Sequence, residues 1–232
     1  MREVFHQALE DIQTRLVEIA ELVTVAIDKA TIAFETGDVS LAEEVIADDA
    51  RIDELALSVD ELAIDTLAMQ QPVARDLRII VSALRTSASL ERMGDLAEHI
   101  AQLARSRFPE RAIPKGLKST FVKMGKLDVS VARTLVELLR TQDLAYAAQI
   151  RDADDLIDEL HATVYEKVLS EAFSGDVGHV IDAALASRYH ERFGDHAVSI
   201  AKKIVYLATG DWTGSTDPEI AAADERTSHF GV

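Results

Sequence analysis

Apolar positions recur at helical spacing along almost the whole chain, as in Val45, Ile52, Leu55, Val59 and Leu62, and strict alternation is absent. Such a period turns one stripe of each segment toward a core and predicts an all-α protein. The pattern breaks at Thr36-Gly37-Asp38, Gln70-Gln71-Pro72, Phe108 to Gly116, Thr141-Gln142-Asp143 and Ser174 to Gly178. These breaks cut out six helices of roughly 25 to 35 residues, which at 1.5 Å per residue are about 40 to 50 Å long. The segment Phe108-Pro109-Glu110-Arg111-Ala112-Ile113-Pro114 holds two prolines and divides an N-terminal unit, 1–108, from a C-terminal unit, 116–209. Beyond Leu207 the period is lost through Gly210-Asp211-Trp212-Thr213-Gly214, and 210–232 is expected to be a disordered tail.

The two units repeat. Leu90-Glu91-Arg92-Met93-Gly94-Asp95-Leu96-Ala97 returns 100 residues later as His190-Glu191-Arg192-Phe193-Gly194-Asp195-His196-Ala197. At an offset of 105, Asp49-Ala50-Arg51-Ile52-Asp53-Glu54-Leu55 returns as Asp154-Asp155-Leu156-Ile157-Asp158-Glu159-Leu160, and Phe34-Glu35-Thr36-Gly37-Asp38 as Leu139-Arg140-Thr141-Gln142-Asp143. The change of offset falls between the second and third helices of a unit, where a loop absorbs it. The prediction is a tandem repeat of two three-helix bundles.

Composition narrows the function. With 41 Asp and Glu against 24 Lys and Arg, the formal charge is −17, which argues against a nucleic-acid binder that works by neutralising phosphates. There is no cysteine, so disulfides, thiolate zinc sites and a cysteine nucleophile are excluded. The N-terminus does not read as a secretion signal. The longest stretch free of Asp, Glu, Lys and Arg is nine residues, Thr66 to Ala74, too short to span a bilayer. A cytoplasmic protein is expected.

Within that acidity, one arrangement is ordered. Glu91 and Asp95 are four residues apart and share a helix face, as do Glu191 and Asp195, Asp49 and Asp53, and Asp154 and Asp158. Antiparallel neighbours joined by a short loop match in height when counted from that loop. Asp53 and Asp49 lie 17 and 21 residues before Gln70, and Glu91 and Asp95 lie 18 and 22 after Val73. In the second unit the separations are 15 and 19 before Phe173 against 14 and 18 after Val177. Four carboxylates per unit therefore meet at one level, an arrangement that suits hard cations with oxygen ligands such as Mg, Mn, Ca or Fe. With Ile79, Leu90, Met93, Ala97 and Ile100 facing the core, Glu91 and Asp95 fall on its flanks, so surface clusters are expected. Solvated acidic helix faces are the plain alternative.

Gly94 and Gly194 each cost a helix interior about 1 kcal/mol, so either close helix packing or close approach of a ligand must require them. Arg92 and Arg192 precede Asp95 and Asp195 by three residues, the spacing of an intrahelical ion pair. Arg78, Arg85 and Arg92 form a heptad stripe, for which pairing with neighbouring acids is expected rather than phosphate binding. His99 and His196 are not supported as ligands by the repeat, which puts Ser199 and Leu96 in their places; surface histidines are expected. A di-iron oxidase needs Glu-x-x-His on two helices, and only Glu3-Val4-Phe5-His6 fits. Nucleophilic triads and glycine-rich phosphate loops are absent.

At these residues the sequence resembles the PhoU family of regulators of bacterial phosphate uptake, over residues 3 to 209. The resemblance rests on Gln71-Pro72-Val73-Ala74-Arg75-Asp76-Leu77-Arg78, on Glu91-Arg92-Met93-Gly94-Asp95 and on Glu191-Arg192-Phe193-Gly194-Asp195. It implies two bundles side by side, with multinuclear metal clusters on their surfaces held by Glu/Asp-x-x-x-Asp motifs. It also implies a non-enzymatic adaptor that couples a phosphate ABC transporter, through its ATPase, to a sensor histidine kinase and represses the phosphate-starvation response. The expected cofactors are divalent or ferric ions (Mg, Mn, Fe or Zn), contact with the membrane is only through partners, and a homodimer is the expected assembly. The second unit has Gly175-Asp176-Val177-Gly178 where the first has Gln71-Pro72, and the tail from Asp211 lies outside the resemblance. The competing functions are a carboxylate-liganded metal store or oxidase and a metal-free scaffold.

Overall fold

The computed structural model describes residues 2–173 and 175–210, apart from the side chain of Arg2. The periodic segments are six helices, α1 (Arg2–Thr36), α2 (Val39–Gln70), α3 (Arg75–Ser106), α4 (Lys118–Thr141), α5 (Ala145–Val168) and α6 (Val177–Thr209), and no strand occurs among the described residues. Of the expected tail, 211–232 lies outside the described residues.

The sequence breaks act through helix ends. Asp38 and Asp176 cap α2 and α6, their carboxylates accepting from the backbone N–H of Leu41 at 3.1 Å and of His179 at 2.8 Å, which satisfies one otherwise free donor in each first turn. Gly37 at φ 75° closes α1, and Gln142, its equivalent in the repeat, closes α4 at φ 56°. One boundary differs from expectation. Helix α5 stops at Val168, five residues before Phe173, and the Ser170 hydroxyl bonds back to the carbonyl of Lys167 at 2.7 Å, competing with helix continuation.

Helices α1, α2 and α3 pack as one bundle and α4, α5 and α6 as another, and the two lie side by side through α1 against α4 and α3 against α6. Both pairings are antiparallel. Along the first, Lys118 meets Glu35 at 3.3 Å, Thr31 packs on Gly125, Arg133 meets Asp28 at 3.6 Å, and Arg140 meets Glu21. A Cβ at Gly125 would lie 2.9 Å from Thr31, so the close crossing depends on the glycine. Along the second, Lys203 reaches Ser89 and the ring of His99 stacks on Tyr189 with centroids 5.1 Å apart.

The core runs through both bundles and the seam, from Ile19, Ile27, Leu90 and Ile100 to Met124, Leu135 and Phe193. In α3 the phase differs by one residue at its start, since Ile80 is fully buried and Ile79 only partly. The second core also contains a polar pair absent from the sequence reading. Asp128 of α4 and His190 of α6 are almost wholly buried and share a 2.5 Å hydrogen bond between Oδ2 and Nδ1. Burial pushes the Asp128 carboxyl up, against the opposing pull of His190.

Candidate metal centres

Of the four carboxylates expected at one level in the first bundle, three come together and Glu91 stands outside the set. Asp49 and Asp53 of α2 and Asp95 of α3 offer oxygens within 4.8 Å of one another, the only such set of three among the described residues. Asp49 sits deepest. Its Oδ1 is sealed from solvent and has no hydrogen-bond partner. Burial, then Asp53, Glu98, Asp95 and Glu91, push its carboxyl up to about 7. Burial is also the main cause that raises Glu91, against the opposing pull of Arg92.

Gly94 explains the depth. A Cβ there would lie 3.1 Å from Asp49 Oδ1 and 3.0 Å from Ile52 Cδ1, so the missing side chain lets α2 press its carboxylate and its core isoleucine onto the α3 backbone. The glycine therefore serves helix packing and the placing of a carboxylate together.

The second bundle repeats the sealed aspartate over a helix glycine, but its carboxylates form no such close set of three among the described residues. Asp154 Oδ1 is likewise sealed and unpartnered, and a Cβ on Gly194 would overlap it. Burial, with Asp158, Asp195, Asp155 and Glu191, raises Asp154 to about 7. Glu191 Oε2 is buried without a partner, and burial raises Glu191 and Asp158 as well. The early end of α5 does not disturb this level, because Asp154 still meets Gly194 as Asp49 meets Gly94.

The arginines divide. Arg92 donates to Asp95 at 2.6 Å and Arg188 pairs with Glu191, whereas Arg192 and the stripe residues Arg78 and Arg85 make no ion pair among the described residues. The expectation that the stripe is paired off by neighbouring acids holds for Arg92 alone. The two histidines expected at the surface also differ. His99 is half-buried at the seam with Nδ1 unpartnered, and His196 is half-buried, its pKa lowered chiefly by burial.

Three contributors escaped the sequence reading. Glu98, three residues after Asp95, adds to the field on Asp49. His161, three residues after Asp158, bonds through Nδ1 to Ser187 Oγ at 2.6 Å and acts on Asp158 and Glu191. Helical spacing from known members was the available signal for both. Asp128 stands at a core position between Met124 and Leu135, where an acid requires a buried partner.

An unpartnered carboxylate oxygen turned away from water, among others on one level, is a site of unsatisfied negative charge. Oxygen-only donors on two helices fit a hard cation; the first bundle brings three of them within reach of one ion, whereas the second shows the sealed, unpartnered oxygens of Asp154 and Glu191 without such a close set.

Comparison with known proteins agrees with the repeat. The PhoU domain model matches twice, at residues 16–104 and 121–204. The chain belongs to the PhoU family. It is 39% identical over 210 residues to the phosphate-specific transport system accessory protein PhoU homolog 2 of Mycobacterium tuberculosis, covering 90% of this chain and 99% of that protein. It is 37% identical to PhoU homolog 1 of Mycobacterium leprae, covering 91% of this chain and 96% of that one. The crystal structure of PhoU from Pseudomonas aeruginosa superposes with a TM-score of 0.82 at 26% identity, over 89% of this chain and 100% of that one. Among the described residues no helix is long and apolar enough to cross a membrane.

Proposed function

We propose that this protein is a cytoplasmic, non-enzymatic regulator of phosphate uptake: a negative adaptor that joins the ATPase of a phosphate ABC transporter to a sensor histidine kinase. What carries the reading is the family match in both bundles, with relatives named as accessory proteins of phosphate transport. The long acidic faces of a −17 chain suit partners with basic or mixed patches, and association steered by opposite charge is salt-sensitive. Repression requires only that the adaptor bind transport-active and idle states with different affinity. In this reading Asp49, Asp53, Glu91 and Asp95, and Asp154, Asp158, Glu191 and Asp195, hold divalent or ferric ions that brace the two faces, and the adaptor works as a homodimer.

The test is a phosphate-starvation reporter in cells lacking the gene and grown in high phosphate, with the intact gene supplied back. Constitutive expression is expected, reversed by the gene. A silent reporter, together with a tagged copy that captures neither transporter nor kinase, would overturn the reading in favour of metal storage or a scaffold.

A further inference from the structure

The arginine stripe at the start of α3 is a charged feature that the carboxylate clusters do not use. Arg75, Arg78 and Arg85 are exposed and make no ion pair among the described residues, in a protein of charge −17. Arg85 also acts on Lys203, whose pKa is lowered chiefly by burial and further by that arginine. Beside the arginines, Leu77 and Val81 are 41% and 38% exposed and, with Tyr206 of α6, line a groove of about 300 Å³. Apolar walls with a positive rim call for an occupant that is both apolar and acidic.

The chain itself supplies one. Residues 211 to 232 carry Asp211, Asp217, Glu219, Asp224 and Glu225 against a single Arg226, interspersed with Trp212, Ile220 and Phe230. Helix α6 ends beside the groove. Extending the antiparallel register of Lys203 against Ser89 and Tyr189 against His99 places Gly210 level with the Arg78 to Ser82 turn of α3. From Gly210, Trp212 is reached within about 7 Å of chain.

The repeat provides a precedent. The chain leaving α3 folds onto the first turns of α6: Arg107 pairs with Asp182, its guanidinium lies where a Cβ on Gly178 would meet it at 2.7 Å, and Ala112 and Leu117 beyond it are buried. At the offset of 100, Arg78 and Ser82 stand for Gly178 and Asp182, and Leu207 for Arg107. The helix start that carries an acid in the second bundle carries arginines in the first. In one place a departing arginine meets an acid on the helix; in the other the helix carries arginines and the sequence that follows α6 carries acids.

We propose that residues 211–232 dock within their own chain as a strap over the start of α3, with apolar side chains on Leu77, Val81 and Tyr206 and carboxylates on Arg78 and Arg85. The strap covers a surface of α3 that is otherwise open to other acidic segments, and it stands independently of the regulatory reading. Trp212 is the only tryptophan, so the intact protein reports on it directly. Acrylamide quenching of tryptophan emission is measured for the full chain, for full-length Arg78→Glu/Arg85→Glu, and for each in urea. Quenching of the native chain about twofold or more below its urea value is expected, with the loss of most of that protection in the arginine variant while circular dichroism remains helical. Native quenching equal to that in urea overturns the proposal. So does protection that survives the arginine variant, which would put the segment elsewhere, and protection that falls on dilution, which would assign the groove to the tail of a second copy.

Discussion

The two bundles each set an aspartate against a helix glycine and build their interiors differently. In the first, the positions equivalent to Asp128 and His190 are Val23 and Leu90, both buried and apolar. In the second, an acid and an imidazole share one hydrogen bond and leave Asp128 Oδ1 and His190 Nε2 without partners. The position of Ala56, whose carbonyl Ser87 approaches at 3.4 Å, is taken in the second bundle by His161 hydrogen-bonded to Ser187. What is common to both is the glycine that takes a sealed aspartate and a core isoleucine, Ile52 or Ile157, against its backbone. Packing accounts for the glycine but not for an unsatisfied carboxylate oxygen repeated in both bundles, which points to a role outside packing.

The largest test of this contrast is on the buried pair. Asp128→Ala or His190→Ala strands one polar group in the core and is expected to cost about 3–5 kcal/mol. The double change Asp128→Val/His190→Leu imports the first bundle's solution and should recover most of that loss or exceed the parent. Urea unfolding of the three variants measures it, and a double mutant that loses as much as the two single ones added together would show that the pair is not coupled.

Next is the response of the shared clusters to pH. The raised carboxyls of Asp49 and Asp154, at about 7 against an ordinary 3.8, bind a proton more tightly folded than unfolded. That contribution to stability is complete below 3.8 and is lost as pH rises to about 7. Metal-free protein should therefore lose this stabilisation toward neutral pH. Ion affinity should rise over the same interval, by up to about tenfold per pH unit for each proton displaced, and then level off. Asp49→Asn and Asp154→Asn should each remove one cluster's share of bound metal, read by titration calorimetry. Unchanged stoichiometry in both would move the ligands elsewhere.

The glycines should separate the halves on a smaller scale. Gly94→Ala meets side-chain ends at 3.0 to 3.2 Å that can shift, so helix propensity offsets much of the strain. Gly194→Ala collides with Asp154 Oδ1 and is expected to cost about 1–3 kcal/mol in thermal unfolding. Equal losses would remove the distinction. The smallest effect is at Gln142, which holds the left-handed conformation given to Gly37 in the first bundle. Gln142→Gly should stabilise the protein by up to about 1 kcal/mol, and a loss would show that its side chain contributes to the helix end.

Helices, the tandem arrangement and the level of the carboxylates were legible because each follows from a short-range period: the apolar stripe, the repeated Glu-Arg-x-Gly-Asp, and equal counts from a loop. Interactions across the seam were not. Nothing local to His99 or Tyr189 says that they stack, and Asp128 and His190 belong to segments 62 residues apart. The end of α5 was misplaced because Ser170, rather than a glycine or proline, closes it. The stripe of Arg78 and Arg85 was assigned to neighbouring acids because composition makes them abundant, and abundance says nothing about which helix face they occupy.

The separation between Asp128 and His190 bears on how the protein is made. At roughly 5–20 residues per second, a ribosome delivers His190 about 3–12 s after Asp128. The three helices of the first bundle are all present once α3 has emerged, while the face of α3 that packs on α6 waits for the last helix. Helix α4 can dock on α1 in that interval, but its acid waits without a partner. Synthesis thus leaves an N-terminal bundle that forms early and a C-terminal bundle whose closure is postponed until the last helix arrives.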